Sequence, residues 1–409
     1  MTERIKHNLV IIGGGPAGLA AAKAAKDNGA KKVLVIDREK HTGGILNQCI
    51  HAGFGLTQFK EELTGPQYAD RVGRAATLAG VDYLTDTTVL SLSPDKTVTV
   101  LNENGVRDIE AAAVVLATGC RERPRGAIHI PGERPAGIYT AGLAQKLVNV
   151  AGVLVGKKVV ILGSGDIGLI MARRLTLAGA KVLAVLEAMK TPGGLARNIA
   201  QCLDDFDIPL HLSHTITDIK GTERVESVTV SKLDDKMQPV AGSEFTLECD
   251  TVLLSVGLIP ENEVAQSAGI ELNPVTNGLA VDENLMTNVE GVFGCGNALH
   301  VHDLVDNLAI ESAEAGKNAA LYAAGQRFEP CPVSVTTDSN FGYVVPLRVS
   351  GTKPVRFQFR VRAVSKGASV QAGVFSRKFA FLQPNHMESV TIPAEKISKE
   401  GVKLCLNAN

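Results

Sequence analysis

The sequence predicts an α/β protein: two Rossmann-like, three-layer domains followed by a small C-terminal β-rich domain. Two glycine fingerprints carry the first part of that expectation. Val10-Ile-Ile-Gly13-Gly-Gly15-Pro16-Ala17-Gly18 and Val159-Val-Ile-Leu-Gly163-Ser-Gly165-Asp166-Ile167-Gly168 each close an apolar run and open a helical pattern. Each is followed by a second apolar run ending in an acid, Asp37 in one case and Glu187 in the other. The third observation is a change of character after Pro330 and Pro332. There Val355-Arg-Phe-Gln-Phe-Arg-Val-Arg362 alternates with the two-residue period of a strand.

Residues 8–13 read as a strand entering a tight turn, and 16–28 as an alanine-rich helix stopped by Gly29. Lys32 to Asp37 is the second strand of this opening βαβ unit. An amphipathic helix follows over 65–80, bounded by Pro66 and Gly80. Strands are expected near 88–92 and 97–101, with a turn at Asn104-Gly105 and a buried strand over 114–119. The second unit repeats this logic with a strand from Lys158, a helix over 167–178, a strand over 181–187 and a late strand from Asp250 to Gly257. A short strand over 291–296 and an alanine-rich helix over 307–324 complete the pattern. The implied domains are 1–130 and 256–328 as two parts of one nucleotide-binding domain, 131–255 as the other, and 329–409 as the β-rich one.

Composition sets limits on function. The chain has 409 residues, 45% apolar and 21% charged, with a formal net charge of -1. That balance gives no reason to expect nucleic acid as a partner. The polar start runs straight into the first strand and no apolar run is long enough to span a bilayer, so a cytoplasmic protein without an integral membrane segment is expected. The cysteines, Cys49, Cys120, Cys202, Cys249, Cys295, Cys331 and Cys405, never approach closer than 36 positions (295 to 331). Such scattered thiols exclude a Cys-x-x-Cys redox pair and give no ligand spacing for zinc or iron–sulfur.

The fingerprints are phosphate cradles. Gly13 permits the turn, Gly15 leaves room for a pyrophosphate, and Gly18 lets the helix lie close to the sheet. The helix that begins at Pro16 then offers unpaired N–H groups from Ala17 onward, and partial positive charge, to the phosphates. Asp37 is placed to accept from ribose hydroxyls, with Arg38 beside it. Gly163, Gly165, Asp166, Ile167 and Gly168 repeat the arrangement, and Glu187 there favours a free ribose 2′-OH over a 2′-phosphate. NAD is therefore expected in the second unit.

With these motifs, the chain resembles the two-dinucleotide flavoproteins of the pyridine nucleotide–disulfide oxidoreductase superfamily over roughly residues 8–325. Further matching segments are Gly43-Gly44, Ala117-Thr118-Gly119, Asp250 to Gly257, and Gly294-Cys-Gly296-Asn297. The resemblance implies FAD in the first unit, its ring near the Gly43–Gly55 loop and the Gly296 segment, with Gly44, Ile45, Asn47 and Gln48 lining it. One departure is Asn297, where the family usually has Asp. Another is Ile170, where it often has a glutamate near the nicotinamide.

The loop Thr42-Gly-Gly-Ile45-Leu-Asn47-Gln48-Cys49-Ile-His51 has one cysteine where disulfide reductases have two. The flavin is therefore expected to exchange electrons directly with a small-molecule substrate or another redox group. Cys49 either packs quietly in the pocket or cycles through a sulfenic acid. Asn297-Ala-Leu-His300-Val-His302-Asp303-Leu-Val-Asp306 places two histidines two apart. They are candidates for acid–base work or substrate anchoring, with Asp303 or Asp306 fixing a tautomer; His51 is a third candidate. A His-x-His pair alone does not make a metal site, and none is assigned. The two segments together look like the FAD-dependent oxidoreductases associated with anaerobic glycerol-3-phosphate dehydrogenase systems, related to FAD subunits of amine- and imino-acid-oxidising complexes. That implies a partner redox protein or subunit; a homo-oligomer is left open.

In the tail, Arg348, Lys353, Arg356, Arg360, Arg362, Lys366, Arg377 and Lys378 have no acid between them. On the 355–362 strand, one face is expected in the core and the other basic. The basic face suits either a solvated edge or the docking of an acidic partner or anionic substrate. Three functions remain open: an NADH-linked flavin oxidoreductase serving within a dehydrogenase complex, an NADH oxidase or peroxidase using Cys49, and a non-catalytic FAD-binding relay subunit.

Overall fold

The computed structural model describes residues 5–407. The chain forms two compact units: one holds the sequence up to Cys120 and again from Pro260, the other is Arg121–Ile259. The first crossing lies ten residues before the junction expected at 130/131, and the second four residues after the one expected at 255/256. The two connecting strands, Cys120–Glu122 and Leu258–Pro260, pair with each other as a two-stranded ribbon.

The first unit is built on a seven-stranded sheet. Its central strand, Ile5–Ile12, lies parallel to Val33–Ile36 on one side and to Gly105–Leu116 on the other. Leu9, Val10 and Ile11 are fully buried, as a strand covered on both faces requires. The buried strand expected over 114–119 is the second half of the twelve-residue strand Gly105–Leu116. Its first half pairs antiparallel with Thr97–Asn102, and its second half lies parallel to Val292–Gly294. The helix Pro16–Asp27 packs against the helix Val305–Ala323. The two approach so closely that a Cβ on Gly316 would sit 2.0 Å from the carbonyl oxygen of Ala21. Small residues at the crossing are what make that approach available.

The second unit carries a five-stranded parallel sheet in the order Ile138–Thr140, Thr251–Leu254, Lys158–Leu162, Lys181–Glu187, Leu210–Leu212. The helix Asp166–Leu177 lies over it, burying Leu169, Met171, Ala172 and Leu175. A three-stranded antiparallel sheet, His214–Lys220, Ser227–Lys232 and Phe245–Glu248, extends this unit.

The C-terminal part is β-rich, as expected, with a separate core around Phe341, Phe357 and Phe359. The strand Val355–Val361 lies between Phe341–Val345 and Glu388–Ile392. One expectation needs correcting here. The face carrying Arg356, Gln358 and Arg360 is not a uniformly exposed basic strip. Arg356 is exposed, but Gln358 is buried and the Arg360 side chain is only 16% exposed, because both bond residues of the 301–311 segment. Alternation in the sequence showed which residues share a face, not what covers it.

Candidate functional site

The two glycine turns have the same geometry, contact for contact. Gly13 has φ +111°, and a Cβ there would lie 2.3 Å from the carbonyl oxygen of Ala117. Gly163 has φ +103°, and its Cβ would lie 2.1 Å from the carbonyl oxygen of Ser255. Gly18 and Gly168 press against the carbonyls of Gly13 and Gly163, where a Cβ would come within 1.8 and 2.4 Å. Gly15 and Gly165 differ from both pairs. Each has ordinary negative φ, and the nearest atom to a built Cβ is 3.9 Å away. Their missing side chains leave open space, as a phosphate cradle requires. Neither helix has a side-chain cap at its N-terminus, so its first N–H groups face that space without one.

Each acid that ends a second strand holds its own glycine turn. Asp37 accepts from the Gly14 amide at 2.6 Å and from the Glu39 amide at 2.8 Å. Glu187 is buried and accepts from the Ser164 amide (3.0 Å), the Ser164 hydroxyl (2.5 Å) and the Met189 amide (2.9 Å). Asp166 accepts from the Leu195 amide and the Asn198 side chain, which ties the helix start to the following loop. Ile167 and Ile170 are partly buried and pack on the core of the second unit. Gly257 has φ +103° with nothing near a built Cβ. Lys190 pairs with Asp235 at 2.7 Å.

The structure brings out one further element of symmetry. A glycine pair follows each acid by six positions (37 to 43, 187 to 193) and folds back over the turn. Gly43 donates its amide to the Gly14 carbonyl, and Gly193 donates its amide to the Ser164 hydroxyl. Gly44 sits so close that its Cβ would lie 3.0 Å from Gly15 Cα. The equal spacing was the available signal.

Around the first turn, Ile45 is 56% exposed, whereas Gln48 is buried and Asn47 donates to the Thr42 carbonyl. Arg38 reaches Glu261 at 3.5 Å. Ala117 is buried, and the Thr118 hydroxyl is buried with no protein partner. Gly119 has φ +74° in open space. An exposed apolar side chain, an orphaned hydroxyl and an open cradle within one loop cluster fit a bound dinucleotide. Gly296 lies against the same helix start, since its Cβ would come within 2.6 Å of Ala17 Cβ. Asn297 is engaged with its neighbours, accepting from the His302 amide and donating to the Cys120 sulfur.

All seven cysteines are unbridged. Cys49 is 5% exposed, and burial pushes its thiol up to about 12. Its sulfur donates to the Ile45 carbonyl at 3.3 Å. Such a thiol is protonated at neutral pH, the opposite of a reactive redox cysteine. Replacing Cys49 with Ser should therefore leave peroxide turnover and flavin reduction within about twofold of wild type. A NADH–peroxide assay checks this, and loss of turnover would restore the peroxidase reading.

His300 and His302 come together as the sequence suggests, with ring centroids 4.5 Å apart. Their side chains are 0% and 1% exposed, so as placed they present no surface to a substrate. What they face is Glu311, which sequence reasoning missed. Its buried carboxylate accepts from the Gly296 amide (2.9 Å), His300 Nε2 (2.6 Å) and Gln358 Nε2 (2.8 Å). His302 Nε2 lies 3.4 Å away. Burial pushes His300 below its ordinary value, while the facing imidazoles and hydrogen bonds hold Glu311 well below the usual carboxylate range despite burial. A neutral His300 donating to an anionic Glu311 satisfies both. His300, His302 and Glu311 bring three metal-type donors within 4.8 Å of one another. The carboxylate already accepts three N–H groups, so we read the cluster as hydrogen-bonded. Asp303 pairs with Arg360 and accepts from the Met387 amide at 2.7 Å. Asp306 accepts from the Thr57 amide at 2.7 Å, and His51 packs on Phe54 at 5.1 Å. Nothing in the sequence pattern paired Glu311 with His300, 11 positions away, or Gln358 with Glu311, 47 positions away.

Among the described residues, no helix is long and apolar enough to cross a membrane. An opine oxidase subunit of Agrobacterium tumefaciens (strain Ach5) is 27% identical, over 96% of this chain and 77% of its own length. Hydrogen cyanide synthase subunit HcnB of Pseudomonas protegens is 24% identical, over 78% of this chain and 71% of its own. These relatives are subunits of multi-component systems. Among solved structures, thioredoxin reductase from Lactococcus lactis shares the fold with a TM-score of 0.65 at 19% identity, over 78% of this chain and 100% of that one. Thioredoxin reductase from T. acidophilum gives 0.63 at 22% identity, over 78% and 98%. The model for pyridine nucleotide-disulphide oxidoreductases matches residues 7–321. With its paired glycine turns and acid-ended strands, the chain belongs to that family of FAD-binding oxidoreductases, which commonly use NAD(P)H.

Proposed function

We propose that the protein passes electrons between NAD(H) and a small-molecule substrate or partner redox subunit, without a redox-active disulfide. The observation that carries this reading is the pair of open cradles at Gly15 and Gly165, each backed by an acid at the end of a second strand. FAD would be held by Gly13, Gly15, Pro16, Ala17, Gly18, Asp37, Arg38, the 44–48 loop, the 117–119 segment and Gly296-Asn297. NAD would be held by Gly163, Gly165, Asp166, Ile167, Gly168, Glu187 and Gly257. When bound, the flavin supplies a centre that takes a hydride and releases electrons one or two at a time. The chain's own residues bind, orient and exclude water. Glu187 repels a 2′-phosphate, which favours NADH over NADPH.

His300, His302 and Asp303 act in this reading from behind the site, by fixing the segment that follows Gly296. The relatives' descriptions as subunits of an opine oxidase and a hydrogen cyanide synthase support a role in a multi-subunit, small-molecule oxidoreductase. An assembly with an anaerobic glycerol-3-phosphate dehydrogenase system in the cytoplasm is the more specific form of this proposal. The test is anaerobic stopped flow on the holoprotein. NADH should bleach the oxidised flavin band, and NADPH should do so at least about tenfold less efficiently. No bleaching by either, with an artificial reductant still effective, would favour the relay-subunit reading, which the missing glutamate at Ile170 supports.

A further inference from the structure

We propose that Gln358 and Arg360, from the C-terminal sheet, are positioning residues of the flavin site, holding the 296–303 segment through Glu311 and Asp303. The proposal rests on the reading that FAD lies against Gly296.

Gln358 and Arg360 are two apart on the strand Val355–Val361 and so project from one face. Each reaches a different carboxylate. Gln358 Nε2 donates to Glu311 at 2.8 Å, on the oxygen that also receives His300 Nε2. The other Glu311 oxygen receives the Gly296 amide. One buried carboxylate thus joins the strand, the histidine and the backbone at Gly296. Arg360 Nη2 donates to the Asp303 carboxylate and to the Val301 carbonyl. The second Asp303 oxygen receives the Met387 amide from the chain just before the neighbouring strand. The segment is therefore fixed near both ends, at Gly296 and at Asp303, and from the C-terminal sheet at each.

Gly296 has no slack. It has φ +66° and touches Ala17, in the first turn of the helix that begins after Gly15. A displaced Glu311 would release the Gly296 amide and shift this contact beside the phosphate cradle. A neutral donor suits position 358 because a carboxylate there would face Glu311 across hydrogen-bond distance in a dry interior. His302 Nε2 lies 3.4 Å from Glu311, and Arg360 pairs with Asp303.

The test uses the full-length holoprotein. Gln358→Leu and Arg360→Leu each remove one donor. Arg360→Lys retains a cation, and Arg356→Gln alters an exposed residue of the same strand. FAD dissociation constant, visible circular dichroism of the flavin and its midpoint potential are read beside the melting temperature. Gln358→Leu and Arg360→Leu should each weaken FAD binding about tenfold or more, the scale of a lost hydrogen bond to a charged group, and change the flavin spectrum. Arg360→Lys should recover part of both, and Arg356→Gln should match wild type. If either leucine variant fails to fold, Gln358→Asn and Arg360→Lys carry the same readouts. Lower melting temperatures with unchanged FAD affinity, spectrum and potential would overturn the proposal. A wild-type protein that takes up no FAD would overturn the flavin reading and this proposal with it.

Discussion

Replacing Gly15 with valine should give a folded protein that has lost its colour. Gly15 has φ -73°, which valine adopts readily, and the nearest atom to its built Cβ is Gly44 Cα at 3.9 Å. The side chain therefore meets little protein and occupies the space offered to a pyrophosphate. Overpacking of this kind costs roughly 1–3 kcal/mol, and FAD affinity should fall by about 100-fold. The matching change, Gly165→Val, meets Ser255 Oγ at 3.9 Å with φ -64°. It should keep the flavin and lose reduction by NADH. Far-ultraviolet circular dichroism, flavin content and anaerobic NADH titration separate these outcomes. A Gly15→Val protein that stays yellow with unchanged FAD affinity would refute the cradle assignment. The neighbouring glycines do not allow so clean an experiment. A side chain at Gly18 would lie 1.8 Å from the Gly13 carbonyl, so its substitution disturbs the fold itself.

That contrast also explains what the sequence could reveal. The glycine turns, their strands and helices, and the acids at 37 and 187 are local patterns. Their spacing follows from strand and helix periods, so they can be read without coordinates. The long strand Gly105–Leu116 was seen only as its apolar end, because its first half is a largely half-buried hairpin arm with mixed residues. Glu311 was invisible as a site residue. It lies in an alanine-rich helix where a glutamate ordinarily faces water, and its partners come from the 296–303 segment and the strand Val355–Val361. Arg360 and Gln358 were placed on the correct strand face, yet their partners lie 57 and 47 positions away. Periodicity assigns a side chain to a face; which segment covers that face is decided by tertiary contacts.

Glu311→Leu should be among the most destabilising single substitutions in the chain. It removes the acceptor of three N–H groups, all of which remain buried. Breaking a buried, charge-assisted cluster by deleting one partner costs about 3–5 kcal/mol. Urea unfolding checks this, and a loss below about 1 kcal/mol would show that the cluster relaxes without it. The pH dependence has a definite sign. His300 is held below its ordinary value of 6.5, so the unfolded chain takes up a proton there first, and stability falls as pH drops below about 6.5. Glu311 is depressed from 4.5, so its contribution is present above that value and declines as pH falls further. Melting temperature in the wild type should therefore decline in both windows. In Glu311→Leu the lower-pH decline should shrink.

The ribbon formed by Cys120–Glu122 and Leu258–Pro260 has a consequence for how such a chain could arise and be re-engineered. Exit and return lie side by side, so a gene segment encoding 121–259 can enter or leave at one point without retying a strand of the host sheet. A one-nucleotide ancestor could gain its second nucleotide fold by a single insertion, and a replacement module needs only two adjacent ends to be accepted.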